Sequence, residues 1–194
     1  NLLKTMLTIA GFDARLTWIG TSDLPYDYSL PSLAVDNHMI CTVILNGKRF
    51  FLDGTEEYIA LNDYAQRIQG KQVLIEDGKN HIIDKIPEFA AERNKVNIST
   101  KVNITDNQLK GNAVSEYNGE SKISVQSAYA AIKNDKKAES LADFARSNNN
   151  NIEVSNIINS DFNDRQKPLQ LKFDFKANNQ VTKTGNELYV ILDW

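Results

Sequence analysis

His38 and Asp53 are the residues of this chain whose types and spacing best suit chemistry. They flank a hairpin signal, because Asn46-Gly47 joins two runs of apolar, β-branched and aromatic residues and favours a two-residue type I′ turn. In the register that this turn predicts, His38 faces Thr55, and Asp53 is its diagonal neighbour, roughly 7 to 8 Å away between backbones. An imidazole held by a carboxylate is the arrangement that fixes the tautomer of a general base.

Cys41 is the only cysteine of the chain and the obvious candidate for a nucleophile beside this pair. It lies an odd number of positions from His38 in the same predicted strand, so its side chain points to the opposite face of the sheet. A bulge would reverse that orientation, but the sequence gives no sign of one. We therefore interpret Cys41 as a small buried residue, as free cysteines commonly are.

The first ten residues predict a helix that precedes these strands. Its apolar residues have helical spacing, and Gly11 is placed to end it; they are Leu3, Met6, Leu7 and Ala10. Because no initiator Met opens the chain and the helix has no clear start signal, we expect a fragment cut inside or just before this helix. A cysteine at a helix N-terminus has its pKa lowered by the local field and becomes a thiolate nucleophile.

Residues 1–15 and 51–55, together with His38, resemble the core of the transglutaminase-like superfamily. In that family the nucleophilic cysteine starts the helix that corresponds to residues 1–10, a histidine opens a strand, and an aspartate ends the next strand. The resemblance therefore implies that His38 and Asp53 are catalytic and that the cysteine lies upstream of the chain. It also implies an α+β fold in which residues 1–93 form the C-terminal part of a papain-like core, a helix on an antiparallel sheet.

Residues 24–38 extend the resemblance to a subgroup of Bacteroidetes proteins. Those proteins carry an N-terminal β-rich domain, the transglutaminase-like core and a C-terminal domain of unknown function. The resemblance implies that residues 94–194 are that C-terminal domain, and it implies a periplasmic or cell-envelope location. The charged stretch of residues 87–94 is typical of a linker or short connecting helix at the boundary.

Two further groups of residues lie near the pair in the sequence. The long loop of residues 21–33 carries Tyr26 and Tyr28, which either line a substrate groove or pack the loop onto the core. Glu56 and Glu57 raise the question of calcium, but they lack the ligand spacing of a calcium loop, and adjacent acids are usually solvated. We therefore predict no metal and no cofactor.

The composition argues against several classes of function. A net charge of -3, a pI near 5.5 and scattered Lys and Arg residues give no electrostatic footprint for nucleic acid. No stretch reaches the apolar length needed to cross a bilayer. A single cysteine cannot form an internal disulfide, so cysteine usage does not indicate the redox compartment.

The second half of the chain predicts a β-rich module with an inserted pair of helices. The hairpin joint at Asp106-Asn107 and the Asn-rich loop of residues 147–151 separate its elements. The predicted strands are residues 96–104, 108–117, 152–158, 169–176 and 188–192, and the predicted helices are residues 124–133 and 137–146. In the first half, further elements are predicted at residues 14–20 (strand), 63–68 (helix-like) and 71–75 (strand), with His81 exposed in a turn.

Two classes of function follow. The first is a cysteine amide hydrolase or acyl transferase, in which an upstream thiolate attacks a peptide or glutamine-type carbonyl and forms an acyl-enzyme. The second is a non-catalytic binding or scaffold protein that keeps the fold, with the C-terminal domain contacting a glycan, peptide or protein. A cysteine immediately upstream favours the first class, and any other residue there favours the second.

Overall fold

A computed structural model of the chain describes residues 2–105, 108–147 and 149–191. These residues form a mixed α and β structure whose strands pair antiparallel, which confirms the predicted class at that level. The chain divides into two compact units, Asn1–Ala90 and Ala91–Trp194. The sequence places the domain boundary a little later, after Arg93.

The first unit consists of one helix and a five-stranded antiparallel sheet. Its elements are α1 (Leu2–Ile9), β1 (Asp13–Ile19), β2 (His38–Leu45), β3 (Lys48–Leu52), β4 (Gln72–Asp77) and β5 (Asn80–Lys85). The strand order is β3-β2-β1-β4-β5. The strand that begins at His38 therefore lies between β3 and the central strand β1.

The predicted hairpin turn between β2 and β3 is confirmed. Asn46 has φ 51° and Gly47 has φ 75°, as both central residues of a type I′ turn require. Leu45 pairs with Lys48 across the turn. The local sequence signal therefore fixes the register of both strands.

The ladder between β2 and β3 ends sooner than predicted. Its last pair is Cys41 with Leu52, and β3 stops there, so the predicted pairing of His38 with Thr55 is wrong. The chain leaves the sheet because the carboxylate of Asp53 accepts hydrogen bonds from the backbone and hydroxyl of Thr55, which forms a local turn.

Gly54 lies in the turn that follows Asp53, and its φ is not positive. The local bonds of the Asp53 carboxylate hold this turn. The predicted helix-like patch at residues 63–68 is a short 3-10 turn, Gln66–Ile68. His81 is exposed as predicted, but it lies within β5, a strand that the sequence did not indicate.

Both faces of the five-stranded sheet are apolar. One face holds the larger core of the unit, which contains Ile19, Ile40, Phe51, Tyr64, Ala65, Ile68, Val73, Ile75 and Ile86. The other face packs Leu3 and Leu7 of α1 against Ala14, Cys41 and Val43. Met6 and Ala10, which share the predicted apolar stripe of the helix, are exposed.

The second unit has a four-stranded antiparallel sheet, two helices and a small hairpin. Its elements are β6 (Val96–Thr105), β7 (Gln108–Tyr117), α2 (Gly119–Ala130), α3 (Lys137–Ala145), β8 (Ile152–Asn159), β9 (Leu169–Ala177), β10 (Val181–Thr184) and β11 (Glu187–Val190). The strand orders are β6-β7-β9-β8 and β10-β11. The sequence predicted these elements except β10, although α2 begins earlier than expected.

One face of the four-stranded sheet carries the core of the second unit. Its buried residues are Leu109, Ala113, Ile152, Leu171, Phe173, Phe175, Ala177 and Val181. Leu141 and Ala145 of α3 pack against them. The predicted joint at Asp106-Asn107, Asn148 of the Asn-rich loop and the end of the last predicted strand at Leu192 lie outside the described residues.

Among the residues that the structure describes, no helix has the length and apolar character needed to cross a membrane.

Candidate functional site

The candidate site lies at the open end of the hairpin, opposite its turn. His38 is the first residue of β2 and pairs with Ile19, the last residue of β1. Asp53 follows directly after the last residue of β3. The two residues thus reach the same end of the sheet although fifteen positions separate them in sequence.

The two side chains form a direct hydrogen bond. The Nε2 atom of His38 lies 2.7 Å from Oδ2 of Asp53, which confirms the predicted contact. The imidazole is 14% exposed and the carboxylate 6% exposed. A pair this well shielded keeps its geometry more strictly than an ion pair on the open surface.

Four donors converge on the carboxylate of Asp53. Its Oδ1 accepts from Thr55 N at 3.0 Å and from Thr55 Oγ1 at 2.7 Å. Its Oδ2 accepts from Nη2 of Arg67 at 3.0 Å as well as from His38. The carboxylate plane is therefore fixed by bonds that do not involve His38. Asp53 thus holds the orientation of the imidazole, and not the reverse.

Asp53 is held in its ionised form. Burial raises its pKa, but hydrogen bonds from His38 and Thr55 outweigh burial, and the pKa of Asp53 is lowered below its usual value. An ionised carboxylate only accepts hydrogen bonds, so Nε2 of His38 carries the shared proton. In the neutral ring the lone pair then lies on Nδ1, which has no hydrogen-bond partner among the described residues.

Arg67 belongs to the site, and the sequence did not indicate it. Its guanidinium bridges Asp53 and Glu56, with Nη2 2.6 Å from Oε1 of Glu56. Its backbone oxygen accepts a hydrogen bond of 2.7 Å from Ser22 N, and its neighbour Ile68 is buried in the core. Fourteen residues separate Arg67 from Asp53, so no local sequence pattern could have revealed this contact. The turn of Asp53, Gly54 and Thr55 does have a local sequence signal and could have been recognised.

The segment that enters β2 is anchored by buried polar contacts. The hydroxyl of Tyr28 donates to Oδ1 of Asp36 at 2.6 Å and lies 3.2 Å from the backbone oxygen of Trp18. Asn37 binds both the backbone N and the hydroxyl of Thr21 through its side-chain amide. These contacts fix the two residues before His38, so they position the imidazole indirectly.

Burial raises the pKa values of two groups in this segment, Tyr28 and Asp36. It raises the pKa of Tyr28, and the neighbouring carboxylate of Asp36 raises it further. Burial also raises the pKa of Asp36, although the Tyr28 hydrogen bond opposes this. The phenol therefore stays protonated and remains a donor.

The two tyrosines occupy different environments. Tyr28 is buried, so its contacts match the packing alternative. Tyr26 is half-buried, stacks edge-on against Tyr28 and donates its hydroxyl to the backbone oxygen of Leu30. A role for either ring in binding substrate stays a prediction.

Cys41 lies away from the pair. It is fully buried on the face that α1 covers, and burial raises the pKa of its thiol. His38 belongs by strand alternation to the other face. The predicted orientation of Cys41 is therefore confirmed, and its environment disfavours the thiolate that a nucleophile needs.

The N-terminal end of α1 reaches the same end of the sheet as the pair. β1 runs from Asp13, which pairs with Ile44, to Ile19, which pairs with His38. α1 packs on β1 in the opposite direction, and a tight connection at Gly11 joins the two. A Cβ atom built on Gly54 would lie 3.6 Å from Cδ2 of Leu3. The start of α1 is thus next to the residue that follows Asp53.

A shallow cavity of about 200 Å³ adjoins the carboxylate. Its lining is mixed and includes Asp53, Glu56, Ile59, Leu61 and Tyr64. Within residues 2–105, 108–147 and 149–191, no three His, Cys, Asp or Glu side chains group closely enough to hold a metal ion.

Comparison of the chain with protein-family models, with curated proteins and with solved structures found no match.

Proposed function

We propose that residues 1–90 are the later part of a papain-like, transglutaminase-like cysteine hydrolase that cleaves peptide or glutamine-type amide bonds through an acyl-enzyme. A cysteine just upstream of α1 is the nucleophile, His38 is the general base and acid, and Asp53 orients His38. The observation that carries the proposal is the shielded 2.7 Å bond between His38 and Asp53. In this hydrogen bond Nε2 of His38 carries the proton, so Nδ1 of the neutral ring is able to accept a thiol proton.

In the first half-reaction, Nδ1 of His38 takes the thiol proton and the sulfur attacks the carbonyl carbon of the substrate. The new C–S bond gives a tetrahedral intermediate, which breaks the C–N bond. The amine leaves with the proton that His38 returns to it. The positive charge that His38 carries between these events is stabilised by the ionised Asp53.

In the second half-reaction, water replaces the amine. His38 removes a proton from water as it attacks the thioester carbonyl. The acid is released as the C–S bond breaks, and His38 returns the proton to the sulfur. An amine that reaches the acyl-enzyme before water would instead be acylated, which is transamidation. Hydrolysis follows when water reaches the thioester first.

Two structural features support a nucleophile at the start of α1. The helix begins at the end of the sheet where His38 and Asp53 lie, since a Cβ atom built on Gly54 would lie 3.6 Å from Cδ2 of Leu3. A helix N-terminus also stabilises a thiolate, because its unpaired backbone N–H groups carry partial positive charge. Cys41 is buried within a strand, so it lies neither at that end of the sheet nor at a helix N-terminus.

The decisive experiment uses the chain extended by its native upstream residues. We expect it to hydrolyse a small peptide amide, and we expect His38→Ala to lower kcat by 100-fold or more, since general acid–base groups contribute about that much. His81→Ala is the matched control, because His81 is the other histidine and is exposed on β5. The 194-residue chain by itself should be inert.

Three results would contradict the proposal. The first is hydrolysis by the 194-residue chain that disappears in Cys41→Ala while folding is intact, because it would make Cys41 the nucleophile. The second is an extended chain whose turnover does not respond to His38→Ala. The third is the absence of cysteine from the residues just upstream of α1, which would favour a non-catalytic protein.

A non-catalytic binding role for the second unit is the alternative, and one feature favours it. A cavity of about 290 Å³ lies between α2 and α3, and its lining is almost entirely apolar, with the aromatic rings of Tyr129, Phe144 and Phe162. Cavities of this size and character accept apolar groups of ligands. Binding of an aromatic peptide to the chain, abolished by Ala128→Trp in the cavity wall, would support this role.

A further inference from the structure

Strand β6 exposes an unusual amount of apolar surface for an edge strand. Its ten residues pair with β7 on one side, and almost all of them are exposed. Val96, Ile98, Val102 and Ile104 are 41%, 65%, 37% and 47% exposed. These four residues alternate along the strand, so their side chains form one apolar row on one face of the sheet.

This row continues the core face of the second unit. Ile104 pairs with Leu109, which pairs with Ala177, and both of these residues belong to the core. Thr100 pairs in the same way with the core residue Ala113. The core face of the sheet therefore extends to β6, where its apolar side chains meet solvent.

The opposite edge of the same sheet is protected. β8 carries a register shift between Ser155 and Ile158, and Asn156 in that bulge has φ 51°. A bulge of this kind bends an edge strand and stops further pairing. β6 pairs with β7 without a register shift over its whole described length and contains one charged residue, Lys101. Long, regular and apolar edge strands are templates for pairing with another chain.

We propose that β6 pairs antiparallel with β6 of a second copy of this chain, so that the two four-stranded sheets join into one. The pairing is isologous, with Thr100 of each copy on the two-fold axis. In this register Val96 faces Ile104 of the other copy, and Ile98 faces Val102. Every member of the apolar row meets an apolar partner on the same face, and the two strands overlap along residues 96–104.

Charge disfavours one of the competing registers. Lys101 of one copy faces Ser99 of the other, and Asn97 faces Asn103, so no like charges lie directly opposite each other. A register centred on Lys101 would set the two ammonium groups opposite each other, which is destabilising. Registers shifted by an odd number of residues would place the apolar row against polar residues on the other face.

A disulfide across the axis tests the register. Thr100→Cys places two thiols opposite each other, within the Cα separation that a disulfide accepts, and mild oxidation should convert most of the chain to a covalent dimer. Asn97→Cys is the matched control on the same strand, because its two copies would lie about 20 Å apart along the strands. The native Cys41 is buried and does not interfere.

Sedimentation of the unmodified 194-residue chain tests the association itself. We expect a reversible dimer that Ile98→Lys weakens by tenfold or more, since the lysine would face Val102 of the other copy. Ile158→Lys is the control, because Ile158 is 66% exposed on the protected edge strand β8 and should leave the dimer unchanged. Equal cross-linking of Thr100→Cys and Asn97→Cys, or a chain that stays monomeric at about 100 µM, would overturn the proposal.

Discussion

The Nε2 atom of His38 lies 2.7 Å from Oδ2 of Asp53, although the strand ladder that joins β2 to β3 ends at the pair of Cys41 and Leu52. The contact is therefore made by side chains beyond the regular sheet. Bonds from Thr55 and Arg67 to the carboxylate replace the missing ladder and hold Asp53 in place. This arrangement resembles the support that an orienting carboxylate needs in an acid–base site.

The lowered pKa of Asp53 predicts a loss of stability in acid. A carboxyl whose pKa is lower in the folded state stabilises the protein fully above its unfolded pKa, about 3.9 for Asp. That contribution disappears as the pH falls from about 3.9 through the lowered folded pKa. The difference in free energy of unfolding between the wild type and Asp53→Asn, measured by urea titration, should therefore shrink below pH 4.

The matched control for that series is Asp84→Asn. Asp84 forms an exposed ion pair with Arg49 on the same sheet, and such pairs contribute less than about 1 kcal/mol. A pH dependence of Asp84→Asn as large as that of Asp53→Asn would show that the shielding of Asp53 has no energetic consequence.

Tyr28→Phe should destabilise the first unit. The change removes a buried hydroxyl that donates to Asp36, and a buried acceptor left without its donor costs about 1–3 kcal/mol. Tyr26→Phe, whose hydroxyl makes an exposed contact with Leu30, should cost less. Chemical denaturation measures both, and equal effects of the two variants would contradict the anchoring role of Tyr28.

Cys41 should be inert in the folded protein. Burial raises the pKa of its thiol and blocks access, so a thiol reagent such as 5,5′-dithiobis(2-nitrobenzoate) should react with it only as the protein unfolds. The reaction in denaturant serves as the control for full reactivity. Fast modification under native conditions would show that the Cys41 face of the sheet opens.

Two glycines of the hairpin region should respond differently to alanine. Gly47 has φ 75°, so Gly47→Ala should lower the free energy of unfolding by about 1–2 kcal/mol. Gly54 lacks a positive φ, and a Cβ there would meet only Leu3 at ordinary contact distance, so Gly54→Ala should be nearly neutral. Thermal unfolding of the two variants measures the contrast, and equal destabilisation would contradict the assigned turn.

The parts of the fold that the sequence predicted are those with local causes. The turn at Asn46-Gly47 needs positive φ at two adjacent residues, and that requirement is visible in the residue types. From the turn, strand alternation predicted that His38 and Asp53 share one face and that Cys41 points to the other. The register it gave for His38 was wrong, because the ladder ends at Cys41 and Leu52 and the contact with Asp53 is made beyond it. Strands β5 and β10 were missed because they are short and carry mostly polar residues, which give a weak alternation signal.

The parts that the sequence could not predict depend on contacts between distant residues. Arg67 joins Asp53 and Glu56 only because a 3-10 turn anchored by Ile68 brings it beside them. The burial of Tyr28 likewise depends on how its loop folds over the sheet, and its carboxylate partner Asp36 lies eight residues away. Neither contact follows from spacing or residue type.

The alkylation rate of the proposed cysteine just before α1 tests the proposed site most directly. In the extended chain at neutral pH, we expect iodoacetamide to modify that thiol much faster than a free cysteine, because His38 and the helix N-terminus stabilise the thiolate. His38→Ala should remove most of the excess rate, whereas His81→Ala should not. A rate that is ordinary for a free thiol, or that is unchanged in His38→Ala, would contradict the assignment of His38 and Asp53 as a catalytic pair.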